Sequence, residues 1–389
     1  MANPDRNAPR FDFLLLVAVL ALVGVGLVMV YSASAVTAQD KLHDALYYLK
    51  RQSVAAVLGL GAMLMAMKLG YRRLARWAWP LLVLAGLCLL ALFIPGLGVS
   101  VGGARRWLRV PGISFQPAEL AKFAWAVYLA YSLAKKKEKV ESFSVGVLPH
   151  LVVCGVLVGL CMLQPDFGSS VALIFLLGVM LFAAGAKVGY LVGLVLLAVP
   201  FAYHAIASSP YRMKRILAFM DPWAHRHDVG YQVAESLMSI GSGGVWGLGL
   251  GNGLQKLYFL PEAHTDFIFS ILGEETGLAG VVMVAGLYGI VIWRGLKASL
   301  GATEAFGTYL GLGLTSLIAF QALVNMSVAM GLVPTKGLTL PFISYGGSSL
   351  IILMGAAGVL LSIGAGAPER SRGRAVSGVM RMQAAGGTA

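Results

Sequence analysis

From Phe11 onward the chain is a succession of long apolar runs separated by short loops that carry Pro, Gly or charge. A helix needs about 20 such residues to cross the hydrocarbon of a bilayer, and only helices and closed barrels satisfy their backbone polar groups there. The runs are continuous and lack the period-two alternation of barrel strands. The expected fold is therefore all-α and polytopic, with about ten transmembrane helices near 11–33, 52–68, 76–95, 116–134, 145–163, 168–186, 188–208, 267–293, 305–331 and 341–364. Composition agrees: 12% of residues are charged, against about 25% in soluble domains. No small-residue cleavage motif follows the first run, which is expected to be a retained span and not a removed leader.

An even number of spans puts both termini on one side. The termini and the loops on their side carry 17 of the 30 Lys and Arg residues, against 12 on the other side, with Lys122 inside a span. Five of those 12 belong to one long loop, a class that follows the positive-inside rule least faithfully. Both termini are thus expected in the cytoplasm, as a short tail over 1–10 and a basic, small-residue-rich, disordered tail over 366–389. The net charge of +13 is read as attraction to anionic headgroups, with no nucleic acid partner. Cys88, Cys154 and Cys161 lie within apolar runs and read as small buried hydrophobes. No CxxC pair or metal-spaced histidine pair is present.

This topology leaves 207–265 as a large extracytoplasmic loop. It is expected to lie partly on the membrane surface, with a helical patch near 231–240 and a Gly-rich run over 241–253. That run lacks the Lys-Ser/Thr ending of a phosphate-binding Walker loop. Phe201, Tyr203, Tyr211, Trp223 and Trp246 suit an interfacial aromatic belt.

The loop ends in LPEAHTDFIFSILGEETG (260–277), where acid, histidine and hydroxyl groups run into an apolar span. A carboxylate such as Asp266, followed at once by Phe267, Ile268 and Phe269, is costly at the mouth of a membrane helix and is a functional candidate. The alternative is a helix cap, for which Thr265 competes. Glu262 and His264 flank it and could orient it. Glu274 and Glu275, deeper in the same helix, are expected to pair with a basic or polar group. Arg212, Lys214, Arg215 and Lys256 could anchor the loop to headgroups or clamp a phosphate. Glu119 and Lys122 stand three apart on one helix face, as a scaffold or a relay. Asp166 sits at a short outer turn, and Thr335, Lys336 and the stretch from Pro341 through Ser344 to Ser349 form another.

These motifs resemble the SEDS family (shape, elongation, division and sporulation). The resembling text is YRMKRILAFMDPW at 211–223, GYQVAESLMSIGSGGVWGLGLGNGLQKLYFLPEAHTDFIFSILGEETGLAG at 230–280, NMSVAMGLVPTKGLTLPFISYGGSSL at 325–350, FQPAELAKF at 115–123 and QPDFGSSVAL at 164–173. Ala263 favours the division members over the elongation members, where arginine is more frequent. The resemblance implies ten spans with a large loop between the seventh and eighth. It also implies a peptidoglycan glycosyltransferase of the inner membrane, concentrated at the division septum, that polymerises lipid II into glycan linked to undecaprenyl pyrophosphate. The implied partners are a class B penicillin-binding protein transpeptidase and other divisome membrane proteins. Asp266 matches the family's catalytic carboxylate, and Glu119 and Lys122 match two of its motif positions.

In that reaction the acceptor hydroxyl attacks an anomeric carbon and lipid pyrophosphate leaves. Asp266 is expected to deprotonate or orient the hydroxyl. Arg212, Arg215, Lys256 or a divalent cation such as Mg2+ or Mn2+ would stabilise the leaving group, with no tightly bound cofactor. The rival readings are a lipid-linked precursor flippase, suggested by the intramembrane polar residues, and a non-enzymatic division scaffold.

Overall fold

A computed structural model describes residues 11–101, 104–110, 113–208, 210–226, 230–257, 260–261, 263–335 and 337–366. Both expected tails, apart from Gly366, lie outside these residues, as do Glu262, Lys336 and the side chains of Phe201, Tyr211 and Arg212.

The chain runs through α1 (Phe13–Leu42), α2 (Tyr47–Leu69), α3 (Leu74–Ala91), α4 (Pro117–Lys136), α5 (Leu148–Leu163), α6 (Phe167–Ala183) and α7 (Val188–Ala207). It continues through α8 (Pro210–Met220), α9 (Tyr231–Ser242), α10 (Ile268–Leu300), α11 (Ala305–Ala329) and α12 (Gly347–Ala365). Among the described residues seven helical segments are long and apolar enough to cross a membrane: α1, α2, the segment ending in α3, the one ending in α5, α10, α11 and α12. The other three expected spans coincide with α4, α6 and α7.

The bundle is organised around α4, α11 and α12, whose side chains are mostly buried. Val57, Leu87, Val195 and Leu196 on α2, α3 and α7 instead face outward, as expected for helices in contact with lipid tails. Close helix approach in such a bundle depends on small residues. A Cβ at Gly358 of α12 would lie 2.3 Å from the Met63 carbonyl oxygen of α2, so these two backbones touch. Trp125 is fully buried and donates its indole N–H to the Leu173 carbonyl at 3.2 Å, tying α4 to α6. At the far end from Asp266, Asp12 caps α1 through Leu15 N at 3.2 Å and also pairs with Arg294 of α10 at 2.6 Å.

Two features correct the all-helical expectation. Between α3 and α4 the chain forms an antiparallel sheet, β1 (Gly98–Val101), β2 (Ala104–Val110) and β3 (Ile113–Phe115), in the order β1-β2-β3. Its β-branched and aromatic residues favour strands, and each segment is too short to register against the long apolar runs. The second feature is a break in α10 at Gly277, whose φ of 66° and ψ of −164° are not helical. The Gly-rich run fills the break: Leu248 N and Gly249 N donate to the carbonyls of Glu274 and Glu275, while Leu278 N and Ala279 N donate to those of Gly244 and Val245. A Cβ on Gly277 would lie 2.4 Å from Gly247 N, so glycine serves here both for its backbone angle and for the close approach.

The helical patch expected near 231–240 is α9, and it is not a surface element. Glu235, Ser236 and Ser239 are buried. Ser236 Oγ donates to the Ala329 carbonyl at 2.6 Å, and Ser239 Oγ to the Ser270 carbonyl at 3.1 Å. Hydroxyl side chains let the helix sink between α10 and α11 with its polar groups satisfied. Tyr203, Trp223 and Trp246 are exposed, as an interfacial belt requires.

Candidate active site

Residues 263–267 approach α10 as irregular backbone, and the cap position of the helix is Phe267. Neither Asp266 nor Thr265 therefore holds the cap. Their backbone is fixed from the opposite side. Asn325 of α11 donates to the Asp266 carbonyl at 3.0 Å and to the Leu338 carbonyl at 2.7 Å. Ser344 Oγ donates to the Thr265 carbonyl at 2.6 Å while accepting from Leu340 N at 2.9 Å. Tyr345 N donates to the His264 carbonyl at 2.9 Å.

The turn that carries Ser344 is itself anchored. Gln52 of α2, fully buried, donates to the Ser344 carbonyl at 3.1 Å and accepts from Gly346 N at 3.2 Å. Phe342 is held in the left-handed region at φ 68°, a conformation that a bulky residue keeps only when its surroundings enforce it. His264 packs its ring against Tyr48 at 4.5 Å and Tyr345 at 5.7 Å between centroids. The segment 264–266 is thus a preorganised support for the Asp266 carboxylate, with His264 part of an aromatic cluster.

Across from it stands Arg106 on β2. A Cβ at Gly337 would lie 3.4 Å from Arg106 Nη1 and 3.6 Å from Asp266 Oδ2, so the two side chains flank the space that a larger residue 337 would fill. Arg106 Nη2 donates to the Pro165 carbonyl. Its Nε is buried and has no acceptor among the described residues. Asp166 caps α6 by accepting from Ser169 N at 3.1 Å, and its buried Oδ2 has no described partner. The sequence reading passes over Arg106, because nothing in its spacing separates it from Arg105 and Arg109. Only the fold of the β-sheet turns it toward Asp266.

The remaining candidates divide. Glu119 and Lys122 meet at 2.7 Å with both side chains buried near the start of α4. Lys256 requires a correction: it is not positioned to hold a pyrophosphate. Its ammonium lies 2.6 Å from Glu275 Oε1 and donates to Ser32 Oγ of α1 at 3.0 Å, in a site where Glu275 is fully buried. A buried carboxylate needs a permanent counter-charge, and Lys256 supplies it. Glu274 finds the polar partners expected of it: Oε1 accepts from Leu254 N at 2.7 Å and Gln255 N at 3.2 Å, and Oε2 from Ser239 Oγ at 3.1 Å.

Arg215 of α8 donates to the Thr335 carbonyl at 3.3 Å, which draws α8 toward the segment before the last span. Arg226 pairs with Glu235 at 3.3 Å. Beside them the Tyr231 phenol is pushed up, first by lost hydration and then by the Glu235 carboxylate. Among the described residues no group of three or more His, Cys, Asp or Glu could hold a metal ion.

The model of the FtsW–RodA–SpoVE cell cycle protein family matches residues 13–367. The chain belongs to that family. It is 48% identical over 358 residues to a probable peptidoglycan glycosyltransferase FtsW of Geobacter metallireducens, covering 92% of this chain and 96% of the relative. It is 40% identical to the stage V sporulation protein E of Bacillus subtilis, covering 90% of this chain and 96% of that one. A solved chain described under structural coordination of polymerization and crosslinking by a peptidoglycan synthase complex is similar with a TM-score of 0.76 and 32% identity. That match covers 91% of this chain and 97% of the other. The rod shape determining protein RodA of Thermus thermophilus is similar with a TM-score of 0.67 and 31% identity, over 93% and 98% of the two chains.

Proposed function

We infer that this chain is a peptidoglycan glycosyltransferase that polymerises lipid II. The observation that carries the reading is the Asp266 carboxylate, set on a backbone locked by Asn325 and Ser344 and facing Arg106 across Gly337, in a chain whose relatives include probable peptidoglycan glycosyltransferases. The acceptor hydroxyl attacks the anomeric carbon of the growing strand, and Asp266 orients it and takes its proton. The leaving group is already acidic, so the paired general acid of hydrolysing glycosidases is not needed.

Ten spans with both termini in the cytoplasm put Asp266, Ser344 and the β-sheet on the outer face, where a lipid-linked sugar is reached from the membrane. Glu119 and Lys122 lie just below this face, as a polar pair that fixes α4 under the site. His264, Thr265 and Asp166 flank the proposed substrate path, and Glu262 and Lys336 lie outside the described residues. A divalent cation such as Mg2+ or Mn2+ would arrive with the pyrophosphate, and no step here depends on one. The partners are a class B penicillin-binding protein, which crosslinks the strands, and other divisome proteins at the septum of the inner membrane.

The test is glycan-chain formation from labelled lipid II by the full chain reconstituted with its transpeptidase, run beside a transbilayer movement assay. Asp266→Asn should lower polymerisation by about 10³-fold while the protein stays folded and inserted. Polymerisation retained by this variant refutes the assignment of Asp266. Transbilayer movement without polymer in the wild type selects a flippase instead.

A further inference from the structure

Arg106 combines three properties that point to a ligand. Its Nη1 borders the same space as Asp266 Oδ2, beside Gly337. Its Nη2 donates to the Pro165 carbonyl, which tethers the guanidinium beside the turn before α6. Its Nε–H is buried and unanswered among the described residues, although buried donors are nearly always paired. A positioned arginine with an unanswered donor next to a reacting carboxylate is built for an anion that arrives with the substrate.

We propose that Arg106 binds the pyrophosphate of the lipid-linked donor and neutralises it as it leaves. The proposal rests on the glycosyltransferase reading and names the group that performs a task which Lys256, already spent on Glu275, cannot. In the step, a bond forms between the acceptor oxygen and the anomeric carbon as that carbon's bond to the pyrophosphate oxygen breaks. The hydroxyl proton passes to Asp266 and the electron pair leaves on the pyrophosphate. Arg106 and Asp266, on either side of Gly337, then serve opposite ends of one displacement: the cation faces developing negative charge and the carboxylate faces the proton.

Binding of undecaprenyl pyrophosphate to the full chain in nanodiscs, compared with undecaprenol, isolates the contribution of the headgroup. Arg106→Ala should lose about tenfold or more of the preference for the pyrophosphate, as expected for a charge-assisted hydrogen bond. Arg106→Lys, which keeps the charge but not the planar fork, should recover part of it. Asp266→Asn, which removes a negative charge beside the anion, should keep or strengthen the preference. Gly337→Ala supplies a check that leaves Arg106 in place: the added methyl sits within van der Waals distance of both side chains and should weaken pyrophosphate binding without lowering the melting temperature. Wild-type preference in Arg106→Ala overturns the proposal. If that variant does not fold, wild-type preference in both Arg106→Lys and Gly337→Ala overturns it. Binding is read without turnover, so a polymerising Asp266→Asn would refute the role of Asp266 and leave this measurement to decide Arg106.

Discussion

Two charged regions lie within one stretch of α10 and its approach, and they are built on opposite principles. Around Glu274 and Glu275 the carboxylates are answered: Lys256, Ser32, Ser239 and two backbone N–H groups meet them in the interior. Around Asp266 the backbone is fixed as firmly, yet a neighbouring guanidinium keeps a buried donor unanswered and Gly337 leaves room beside the carboxylate. The first region holds the Gly-rich run in the break of α10 and links the loop to α1. The second sets Arg106 and Asp266 on either side of Gly337, where the proposed reaction places its substrate. Similar residue types thus form a closed buried cluster in one place and, in the other, leave a buried arginine donor without an acceptor among the described residues.

The contrast can be broken by substitution. The largest loss of activity should come from Asp266→Asn, about 10³-fold with little change in melting temperature, whereas the Glu275 region should respond in stability. Lys256→Ala or Glu275→Ala leaves one buried charge alone and should cost about 3–5 kcal/mol, measured by thermal unfolding in detergent. A Lys256→Met, Glu275→Leu double variant should recover most of that loss; failure to recover would show that the pair does more than neutralise itself. Gly277→Ala should cost about 1–3 kcal/mol in backbone strain, and its clash with Gly247 N adds to this and should loosen the Gly-rich run to proteolysis. Asn325→Ala should cost less than the Lys256 and Glu275 variants, about 1 kcal/mol for each of its two hydrogen bonds. It should also lower turnover, because it frees the carbonyl of Asp266 itself. If turnover is unchanged, the fixed backbone at 264–266 does not matter to the site.

Much of this was legible in the residues. The apolar runs placed helices at each expected position, the three-residue spacing put Glu119 and Lys122 together, and Asp266 stood out as a carboxylate at the mouth of a span. The break at Gly277 was hidden because apolar residues continue on both sides of it and a glycine within a helical pattern is common. The β-sheet was hidden because short strands leave little signal beside runs of 20 residues. Lys256 was read as a free cation because Glu275, 19 residues away, belongs to another element, and Ser32 to the first helix.

The sequence by itself determined the solvent this protein folds in, the positions of its helices and the carboxylate proposed to react, since hydropathy and helical spacing are local properties carried by consecutive residues. The tertiary structure alone decided which charges are consumed in a buried cluster and which meet beside Gly337. That outcome depends on contacts between distant segments: Arg106 on a strand beside Asp266 and Gly337, and Ser32, Lys256 and Glu275 in one buried cluster. Burial sets the cost of leaving a charge unpaired, and burial is a property of the packed bundle.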